Sequence, residues 1–311
     1  MPPELPSVCV FAPSLFTTVT VEAGADEFDE IHFHLGGQGF WVARMVRELG
    51  ERPILCAPVG GEAGDVMRGL VASTGLDFSA VRVAGASPAY VHDRRNGERV
   101  VVSTSRPSSL SRHELDDLFG KTLRHALGAS VCVITGRPAG DRLEPAFYRR
   151  LGADLAAAGV RTVADFHGEE MEAYLSGGSL DILKVSDEDL AADGVDVDSD
   201  DGLWEEIARL AKAGAKAVVV SQGSRGSLAS FDGIRFRATA PEFEVVDHMG
   251  AGDSMTAALA VSAVREKGTV ETLQLACAAG AANVTRHGLG SSQADLVDRL
   301  TNLVSVEELG Q

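Results

Sequence analysis

The stretch that most constrains the fold runs from Val245 to Ala260 and reads Val-Val-Asp-His-Met-Gly-Ala-Gly-Asp-Ser-Met-Thr-Ala-Ala-Leu-Ala. Its two valines predict the end of a strand, and the small residues after the glycines predict a tightly packed helix. Glycine allows backbone conformations that other residues rarely adopt, and it lets a ligand approach the chain closely. Because the free N–H groups of the helix point back at the turn, the sequence predicts an anion site there.

Asp253 stands in the first turn of this predicted helix and has two interpretations. In the first, it only caps the helix, since an acid near a helix N-terminus is mildly stabilised by the macrodipole. In the second, the turn holds a transferring phosphate through backbone N–H groups, and Asp253 takes a proton from an acceptor hydroxyl. A carboxylate inside an anion site favours the second interpretation.

The residues Asp-His-Met-Gly-Ala-Gly-Asp at 247–253 resemble the second signature of the ribokinase-like (PfkB) carbohydrate kinases, usually Asp-Thr-x-Gly-Ala-Gly-Asp. The resemblance implies ATP as phosphate donor, Mg²⁺ as its counter-ion and Asp253 as the catalytic base. It also implies that Gly250, Ala251 and Gly252 form the anion hole. His248 departs from the pattern, because a small threonine is usual there.

A second glycine-rich turn, at residues 35–39, opens a predicted helix that Gly50 ends. It resembles the first signature of the same family, Gly-Gly-Lys-Gly-x-Asn-x-Ala-Arg, in the form found in the 1-phosphofructokinase and tagatose-6-phosphate kinase branch. The resemblance implies that Gly36 and Gly37 line the acceptor site, together with Asp253.

Three residues of the implied acceptor site depart from that branch. Gln38 replaces a lysine that meets the substrate phosphate, Trp41 replaces an asparagine, and Phe16 replaces a sugar-binding aspartate. A site built to hydrogen-bond a hydroxyl discriminates strongly, whereas an apolar site does not. These replacements argue against fructose 1-phosphate as the substrate and favour a larger, flatter or less polar acceptor that stacks on Phe16 and Trp41.

Arg137 offers a replacement for the missing lysine charge. It follows a predicted strand, as Asp165 does, and ligands of parallel α/β sheets bind at the carboxyl ends of strands. We therefore expect Arg137 to bind the acceptor.

The nucleotide site is implied by three further stretches. Residues 184–190 resemble a family Lys-Pro-Asn-x-x-Glu-Leu, with Asp189 expected to reach Mg²⁺ through water. A solvated acidic start of a helix is the alternative for this stretch. Residues 217–228 resemble a glycine loop against the nucleotide, and the small-residue helix at 276–284 would pack beside adenine or simply against another helix. The residues implied for nucleotide binding are Lys184, Ser186, Ser221, Gly223, Gly226, Gly252 and Asn283.

From residue 115 onwards predicted strands and helices alternate with short loops, which indicates a right-handed parallel sheet covered by helices. The predicted fold class is α/β, in the ribokinase-like three-layer α/β/α form with a mostly parallel central sheet. We expect a single domain over residues 1–311 that ends in a helix within 291–311.

A small β-sheet lid is expected from about residues 14–34 and 86–105. Within it, residues 90–102 predict a hairpin whose Asn96-Gly97 pair is typical of a type I′ turn. The resemblance implies the closing role and a homodimer through this sheet. His32 and His34 would share one strand face, either as metal ligands or as solvated or substrate-lining side chains, and no third ligand is evident.

Composition excludes several other classes. The net charge of −17 argues against nucleic-acid binding, which needs basic patches. The N-terminal residues lack a signal-peptide pattern, and no apolar run reaches the ~20 residues that span a bilayer. We therefore expect a cytoplasmic protein without membrane or nucleic-acid partners. The four cysteines have no metal-binding spacing, so buried thiols are expected.

The sequence thus predicts a kinase that phosphorylates a hydroxyl of a sugar or sugar-phosphate acceptor. Two alternatives remain at this stage. A nucleoside kinase of the same fold would suit the apolar Phe16 and Trp41. A ligand sensor with weak or no catalysis would suit the altered residues Phe16, Gln38, Trp41 and Ser186, although the intact Gly-Ala-Gly-Asp turn opposes it.

Overall fold

A computed structural model describes residues 5–136, 143–241, 249–284 and 293–310. The predicted strand end at Val245 and Val246, and the residues Asp247, His248 and Arg137, lie outside these ranges. The strands are β1 (Val8–Phe11), β2 (Phe16–Ala23), β3 (Asp29–Gly36), β4 (Pro53–Val59), β5 (Asp77–Arg82), β6 (Ala89–Asp93), β7 (Val100–Thr104), β8 (Val131–Thr135), β9 (Arg161–Asp165), β10 (Leu180–Ser186), β11 (Ala215–Ser221), β12 (Ser227–Phe231), β13 (Ile234–Thr239) and β14 (Ser305–Gly310).

The helices of the described ranges alternate with most of these strands. They are α1 (Gln38–Glu48), α2 (Gly61–Thr74), α3 (Arg112–Ala126), α4 (Pro145–Ala157), α5 (Gly168–Gly177), α6 (Asp187–Ala192), α7 (Asp200–Ala213), α8 (Ala251–Val264), α9 (Thr269–Val284) and α10 (Ala294–Thr301). Within the described ranges, none of them is long and apolar enough to cross a membrane.

A large sheet forms the centre of the molecule, with the strand order β14-β13-β12-β11-β10-β9-β8-β1-β4-β5. From β11 to β5 every neighbouring pair is parallel, whereas β12, β13 and β14 extend the sheet in antiparallel fashion. The mostly parallel α/β sheet that the sequence predicts is therefore confirmed.

Alternating side chains of the central strands supply both cores, because successive strand residues point to opposite faces. In β1, Val8 and Val10 belong to the cluster covered by α1, α2, α8, α9 and α10. Cys9 and Phe11 belong to the cluster on the other face, which is covered by α3 to α7. The result is the expected three layers. All four cysteines are buried free thiols, as predicted.

Helix α8 is apolar on all sides because it is enclosed on all sides. Every residue from Ser254 to Ala263 is buried, and the helix packs against α1 and α9 as well as against the sheet. Its small side chains permit this close packing. The helix is therefore a rigid platform for the glycine turn at its N-terminus.

A second, four-stranded sheet has the order β3-β2-β6-β7. Its strands come from the two segments that the sequence assigned to a small sheet. The predicted type I′ turn is wrong: the connection spans residues 94–99, and the Gly97 N–H donates to the Arg94 carbonyl at 2.8 Å. Type I′ needs positive φ at both central residues. Among the described non-glycine residues only Asp232 and Glu266 have it, so Asn96 does not.

The C-terminal segment also differs from expectation. The sequence predicts a final helix within 291–311, but α10 ends at Thr301 and is followed by β14, which pairs antiparallel with β13. The unpaired edge of β13 explains the difference, since it offers a ladder of backbone groups that a short extended tail can satisfy.

Candidate active site

The glycine turn at the N-terminus of α8 has the geometry of an anion hole. Gly250 is the N-cap residue and lies in the left-handed region with φ 80°, a conformation that favours glycine. The helix begins at Ala251, so its first N–H groups have no carbonyl partner within the helix. The turn therefore presents these N–H groups at the positive end of the helix dipole, an arrangement that can bind an anion.

Asp253 lies in the first turn of α8 and lines the larger of two cavities in this part of the molecule. Burial of its carboxyl group raises its pKa to about 7; nearby Asp165 adds to the rise, and Lys184 opposes it. A general base works best when its pKa is close to the working pH. The environment thus suits Asp253 to proton transfer, which a helix-capping acid would not need.

Lys184 and Asp165 form a buried ion pair beneath the turn. Asp165 ends β9 and lies in register with Lys184 of the neighbouring strand β10, and Lys184 Nζ lies 3.2 Å from Asp165 Oδ2. Burial alone would lower the pKa of Lys184, but Asp165, Asp253 and Asp189 outweigh it and hold the pKa above its ordinary value. Lys184 therefore remains a cation next to the glycine turn.

Two polar side chains brace the turn from behind. The Thr256 hydroxyl lies 2.6 Å from Asp165 Oδ2, which ties α8 to the end of β9. Asn283, on α9, donates from Nδ2 to the Met249 carbonyl at 2.7 Å and accepts from the Ser254 hydroxyl at 3.3 Å. Asn283 is 1% exposed and does not line the cavity that is the candidate nucleotide site. The structure thus places it as a support for the turn.

The larger cavity has a volume of about 660 Å³ and extends from the turn along the ends of β10 and β11. Of the residues that the sequence implies for nucleotide binding, all except Asn283 line it: Lys184, Ser186, Ser221, Gly223, Gly226 and Gly252. Gly226 has φ 88°, and a Cβ there would lie 2.2 Å from the Ala238 carbonyl oxygen. Glycine directly before β12 therefore allows the chain to pass close to β13 at the cavity wall.

Ser186 and Asp189 contact each other at the start of α6. Ser186 Oγ caps the helix by accepting from the Asp189 N–H at 3.0 Å, and its hydroxyl donates to Asp189 Oδ2 at 2.6 Å. Asp189 lines the smaller cavity, whereas its neighbour Glu188 lines the larger one. The acidic turn of α6 therefore lies between the two cavities.

The smaller cavity has a volume of about 230 Å³ and lies on the other side of the Asp165–Lys184 pair. It is lined by Ser14, Phe16, Gly37, Gln38, Gly136, Asp165, Phe166, His167 and Asp189. Gln38 Oε1 accepts from the Gly136 N–H at 3.1 Å, so the amide ties α1 to the end of β8.

The structure brings Phe16, Gly37 and Gln38 to this cavity but not Trp41. The Phe16 ring covers Gly36, where a Cβ would lie 2.1 Å from it. Trp41 packs on Phe40, with ring centroids 5.0 Å apart, and against the core. Of the two aromatic residues expected to stack on an acceptor ring, only Phe16 lines this cavity, and its stacking stays a prediction.

Comparison with known proteins decides the family. A sequence model of the pfkB family carbohydrate kinases matches residues 11–296. The chain belongs to this family. It is 27% identical over 262 residues to the ATP-dependent 6-phosphofructokinase isozyme 2 of Escherichia coli K12, covering 82% of this chain and 83% of that protein. It is 22% identical over 278 residues to the tagatose-6-phosphate kinase of Staphylococcus epidermidis, covering 88% and 89%.

Solved structures show that this carbohydrate kinase has the ribokinase-like fold. Phosphofructokinase-2 from E. coli in complex with potassium superposes with a TM-score of 0.83 at 23% identity, covering 96% of this chain and 99% of that one. Ribokinase from Arabidopsis thaliana, complexed with ribose and ATP, gives 0.71 at 20% identity, with 96% and 99% covered. The predicted family and fold class are therefore confirmed.

Sequence reasoning did not assign a site role to Thr256 or His167, and it named Asp165 only for its position at a strand end. The sequence did contain a signal for His167, because the residues Phe-His-Gly directly follow a buried strand that ends at Asp165. The partners of these residues lie far away in sequence: Asp165 contacts Lys184 and Thr256, and His167 contacts Asp193. Only the register of the folded sheet brings them together.

Gly252 has a steric role that gives a direct prediction. A Cβ at this position would lie 2.6 Å from Lys184 Nζ, so the ammonium group would have to move. We expect Gly252→Ala to lower kcat on the order of 100-fold, since small displacements in an active site have effects of this size. Steady-state kinetics with an acceptor that the wild-type protein phosphorylates provides the measurement.

Gly120→Ala is the matched control for this substitution. Gly120 lies within α3, and a Cβ added there would have no heavy atom within 4 Å, so alanine should leave kcat unchanged and raise stability by about 0.5–1 kcal/mol. Equal kcat values for Gly252→Ala and the wild type would show that the ammonium position does not matter.

Proposed function

We propose that this carbohydrate kinase transfers the γ-phosphate of ATP to a hydroxyl group of a sugar or sugar phosphate, with Asp253 as general base. One observation carries the proposal. Asp253, with a pKa of about 7, stands at the N-terminus of a buried helix and lines the larger cavity. Lys184 lines the larger cavity, and its ion-pair partner Asp165 lines the smaller one.

The reaction follows from these positions. Asp253 takes the proton of the acceptor hydroxyl as its oxygen forms a bond to the γ-phosphorus, and the bond from that phosphorus to the bridging oxygen of ADP breaks. The N–H groups of Gly250, Ala251 and Gly252 hold the charge on the transferring phosphoryl oxygens. The Lys184 ammonium adds a fixed positive charge next to the turn.

The residues at the first turn of α6 fit a hydrated Mg²⁺ ion. Magnesium in kinase sites keeps several waters and contacts one or two carboxylates plus the phosphates of the nucleotide. Glu188 lines the larger cavity and Asp189 lines the smaller one, so both supply carboxylates, and Asp189 is already engaged by Ser186. We propose that Asp189 contacts the ion through water and that the ion neutralises phosphate charge.

The proposal is tested by ADP release from ATP and Mg²⁺ across a panel of acceptors. The panel contains fructose 6-phosphate, tagatose 6-phosphate, their unphosphorylated sugars and a set of nucleosides. A sugar or sugar phosphate that raises turnover by orders of magnitude supports the proposal. Selective stimulation by a nucleoside would instead establish a nucleoside kinase, the alternative that Phe16 in the smaller cavity favours. Tight ATP binding without stimulation by any acceptor would favour the sensor.

We further propose that the small sheet acts as a lid on this kinase. A contact between the two parts of the molecule supports it: Arg99, in the β6–β7 connection, lies 3.9 Å from the sulfur of Met249, next to the glycine turn. The guanidinium also contacts both ring nitrogens of His92 at 3.2 and 3.3 Å. Movement of the sheet would thus be transmitted to the turn, and closure would exclude water as a competing acceptor.

The same sheet carries an exposed apolar surface that favours a homodimer. Ile31 and Phe33 on β3 are 61% and 52% exposed, and Val100 and Val102 on β7 are 56% and 62% exposed. Exposed apolar patches commonly mark interaction sites. We expect Phe33→Glu to convert the dimer into a monomer, measured as molar mass by light scattering during size-exclusion chromatography.

Leu303→Glu serves as the control for this prediction, because Leu303 is 60% exposed but follows α10, outside the small sheet. Its molar mass should equal that of the wild type. A wild-type monomer, or a Phe33→Glu dimer, would contradict the proposed interface.

A further inference from the structure

The smaller cavity contains few polar atoms that are still available to an acceptor. Phe16 contributes none. Gln38 Oε1 is bonded to Gly136, and Asp165 is engaged by Lys184 and Thr256. Among the described lining side chains, the remaining polar groups are Nε2 of Gln38, the His167 imidazole, Oδ1 of Asp189 and the hydroxyl of Ser14, which is buried and has no partner among the described residues.

His167 is held in a fixed orientation by Asp193. The imidazole Nδ1 lies 3.1 Å from both carboxylate oxygens of Asp193, and the Gly168 N–H donates to the same carboxylate at 2.8 Å. An ionised carboxylate can only accept, so Nδ1 carries a proton, and in the tautomer with that single proton Nε2 has the lone pair. Gly168 reaches this position with φ 63°, a conformation that favours glycine.

The opposite nitrogen of His167 faces a second carboxylate without bonding to it. Nε2 lies 3.7 Å from Asp189 Oδ1, which is beyond hydrogen-bond distance. Asp189 lies on α6 and Asp193, four residues later, is the C-cap residue of that helix, so the two lie on the same side of it. A ligand hydroxyl next to Nε2 and Oδ1 would find two acceptors in a preformed arrangement.

The charges of the cavity indicate what kind of group fits there. The carboxylates of Asp165 and Asp189 line it, and no lysine or arginine does among the described residues. Lys184 is already paired with Asp165. A phosphate in this cavity would therefore be repelled by negative charge, whereas an uncharged polyol would not be repelled.

From these observations we infer that His167 binds a hydroxyl group of the acceptor by accepting its hydrogen bond at Nε2. Asp193 positions the imidazole ring. The part of the acceptor that lies in this cavity is an uncharged polyol. Ser14 supplies a further hydrogen-bonding group. The inference rests on the proposed function, since it assigns the acceptor side of the same site. A site that hydrogen-bonds a hydroxyl discriminates strongly against an acceptor that lacks it or displays it differently.

The kinetic test uses fructose 6-phosphate and tagatose 6-phosphate, which differ only in the configuration of one hydroxyl group. We expect His167→Ala to raise the acceptor KM about 10-fold or more and to reduce the ratio of kcat/KM between the two epimers, with KM for ATP unchanged. His167→Gln, whose amide can occupy the place of Nε2, should restore part of the loss. His113→Ala, at an exposed histidine of α3, is the control and should match the wild type.

The spectroscopic test does not depend on turnover. In protein labelled with ¹⁵N in histidine, the His167 imidazole should show a protonated Nδ1 in the wild type and a changed tautomer in Asp193→Asn. Addition of fructose or tagatose should move the Nε2 resonance, which is assigned by its loss in His167→Gln.

The outcomes separate this inference from the proposed function. If sugar phosphates are phosphorylated but His167→Ala leaves the acceptor KM and the epimer ratio unchanged, the inference is wrong and the proposed function stands. If the wild type phosphorylates none of the sugars, the proposed function fails, and the resonance titration decides: a sugar-dependent shift supports the hydroxyl site, and no shift overturns it.

Discussion

Replacing Asp253 by asparagine is expected to lower kcat by about 10²–10⁴-fold, the range that a positioned general base contributes. Asparagine keeps the size of the side chain but cannot take the proton. The Kd for ATP, measured by calorimetry, should stay close to the wild-type value, because the backbone donors and Lys184 are untouched. Asp154→Asn, at an exposed position of α4, is the control and should behave as the wild type.

The pH dependence of the wild type follows from the same carboxyl group. The pKa of Asp253 is raised to about 7, so its carboxyl group is mostly protonated below that pH and mostly ionised above it. We expect kcat/KM to rise with pH through an acidic limb near 7, since this ratio reports the free enzyme.

Ionisation of Asp253 at higher pH is expected to raise kcat/KM but to lower the stability of the folded protein. Keeping an acid with a raised pKa ionised costs the folded state free energy above the unfolded pKa, and the cost grows until the pH passes the folded value. Asp253→Asn should therefore be more stable than the wild type at pH 8, and the difference should shrink as the pH falls towards 4. Urea unfolding at several pH values measures this. An inactive variant that is less stable at every pH would indicate misfolding instead of loss of a base.

Replacing Lys184 by methionine is expected to lower the free energy of unfolding by about 3–5 kcal/mol, the usual cost of removing one partner of a buried ion pair. The Asp165 carboxylate would remain buried next to Asp253 without its cation. Lys184 is also the group that opposes the raised pKa of Asp253. The acidic limb of kcat/KM should therefore move to higher pH, with kcat reduced.

Lys216→Met is the matched control for Lys184→Met. Lys216 pairs with Asp181 at 2.7 Å, but its side chain is 60% exposed, and exposed ion pairs contribute about 0–1 kcal/mol. Chemical denaturation compares the two variants. Similar stabilities for both, with an unmoved acidic limb, would show that the Lys184–Asp165 pair supports neither the fold nor the base.

The sequence predicted the parts of the fold that depend on local pattern. Apolar runs at residues 131–134 and 217–220 gave central strands, and the small residues after Gly252 gave the enclosed helix α8. In both cases the composition of one segment is enough, because burial on two faces requires apolar residues and close packing requires small ones.

The features that the sequence missed depend on pairing between segments. The hairpin connection contains Asn-Gly, but the bulge between Val91 and His92 and the longer loop at 94–99 move these residues off the two-residue turn. The final strand β14 forms because β13 leaves an edge to pair with. Neither the position of an edge nor a register can be read from one segment alone.

The same distinction applies to the candidate site, where some features follow from a local sequence pattern and others from contacts between distant segments. The glycine turn and Asp253 could be located from their motif, because backbone conformation and helix position are local properties. Trp41 was placed in the site by its motif position, but in the structure it packs on Phe40 and the core. The arrangement of His167 between Asp189 and Asp193 depends on how α6 meets the end of β9, which no local pattern encodes.

The measurement that tests the central claim most directly follows the γ-phosphate itself. ATP labelled with ³²P in the γ-position is incubated with Mg²⁺ and the pooled sugar and sugar-phosphate acceptors, and the label is separated into sugar-phosphate and inorganic-phosphate fractions. The proposed function predicts that wild-type protein moves the label into a sugar phosphate and that Asp253→Asn does so at least about 100-fold more slowly. Label found only in inorganic phosphate, or equal transfer by Asp253→Asn, would contradict it.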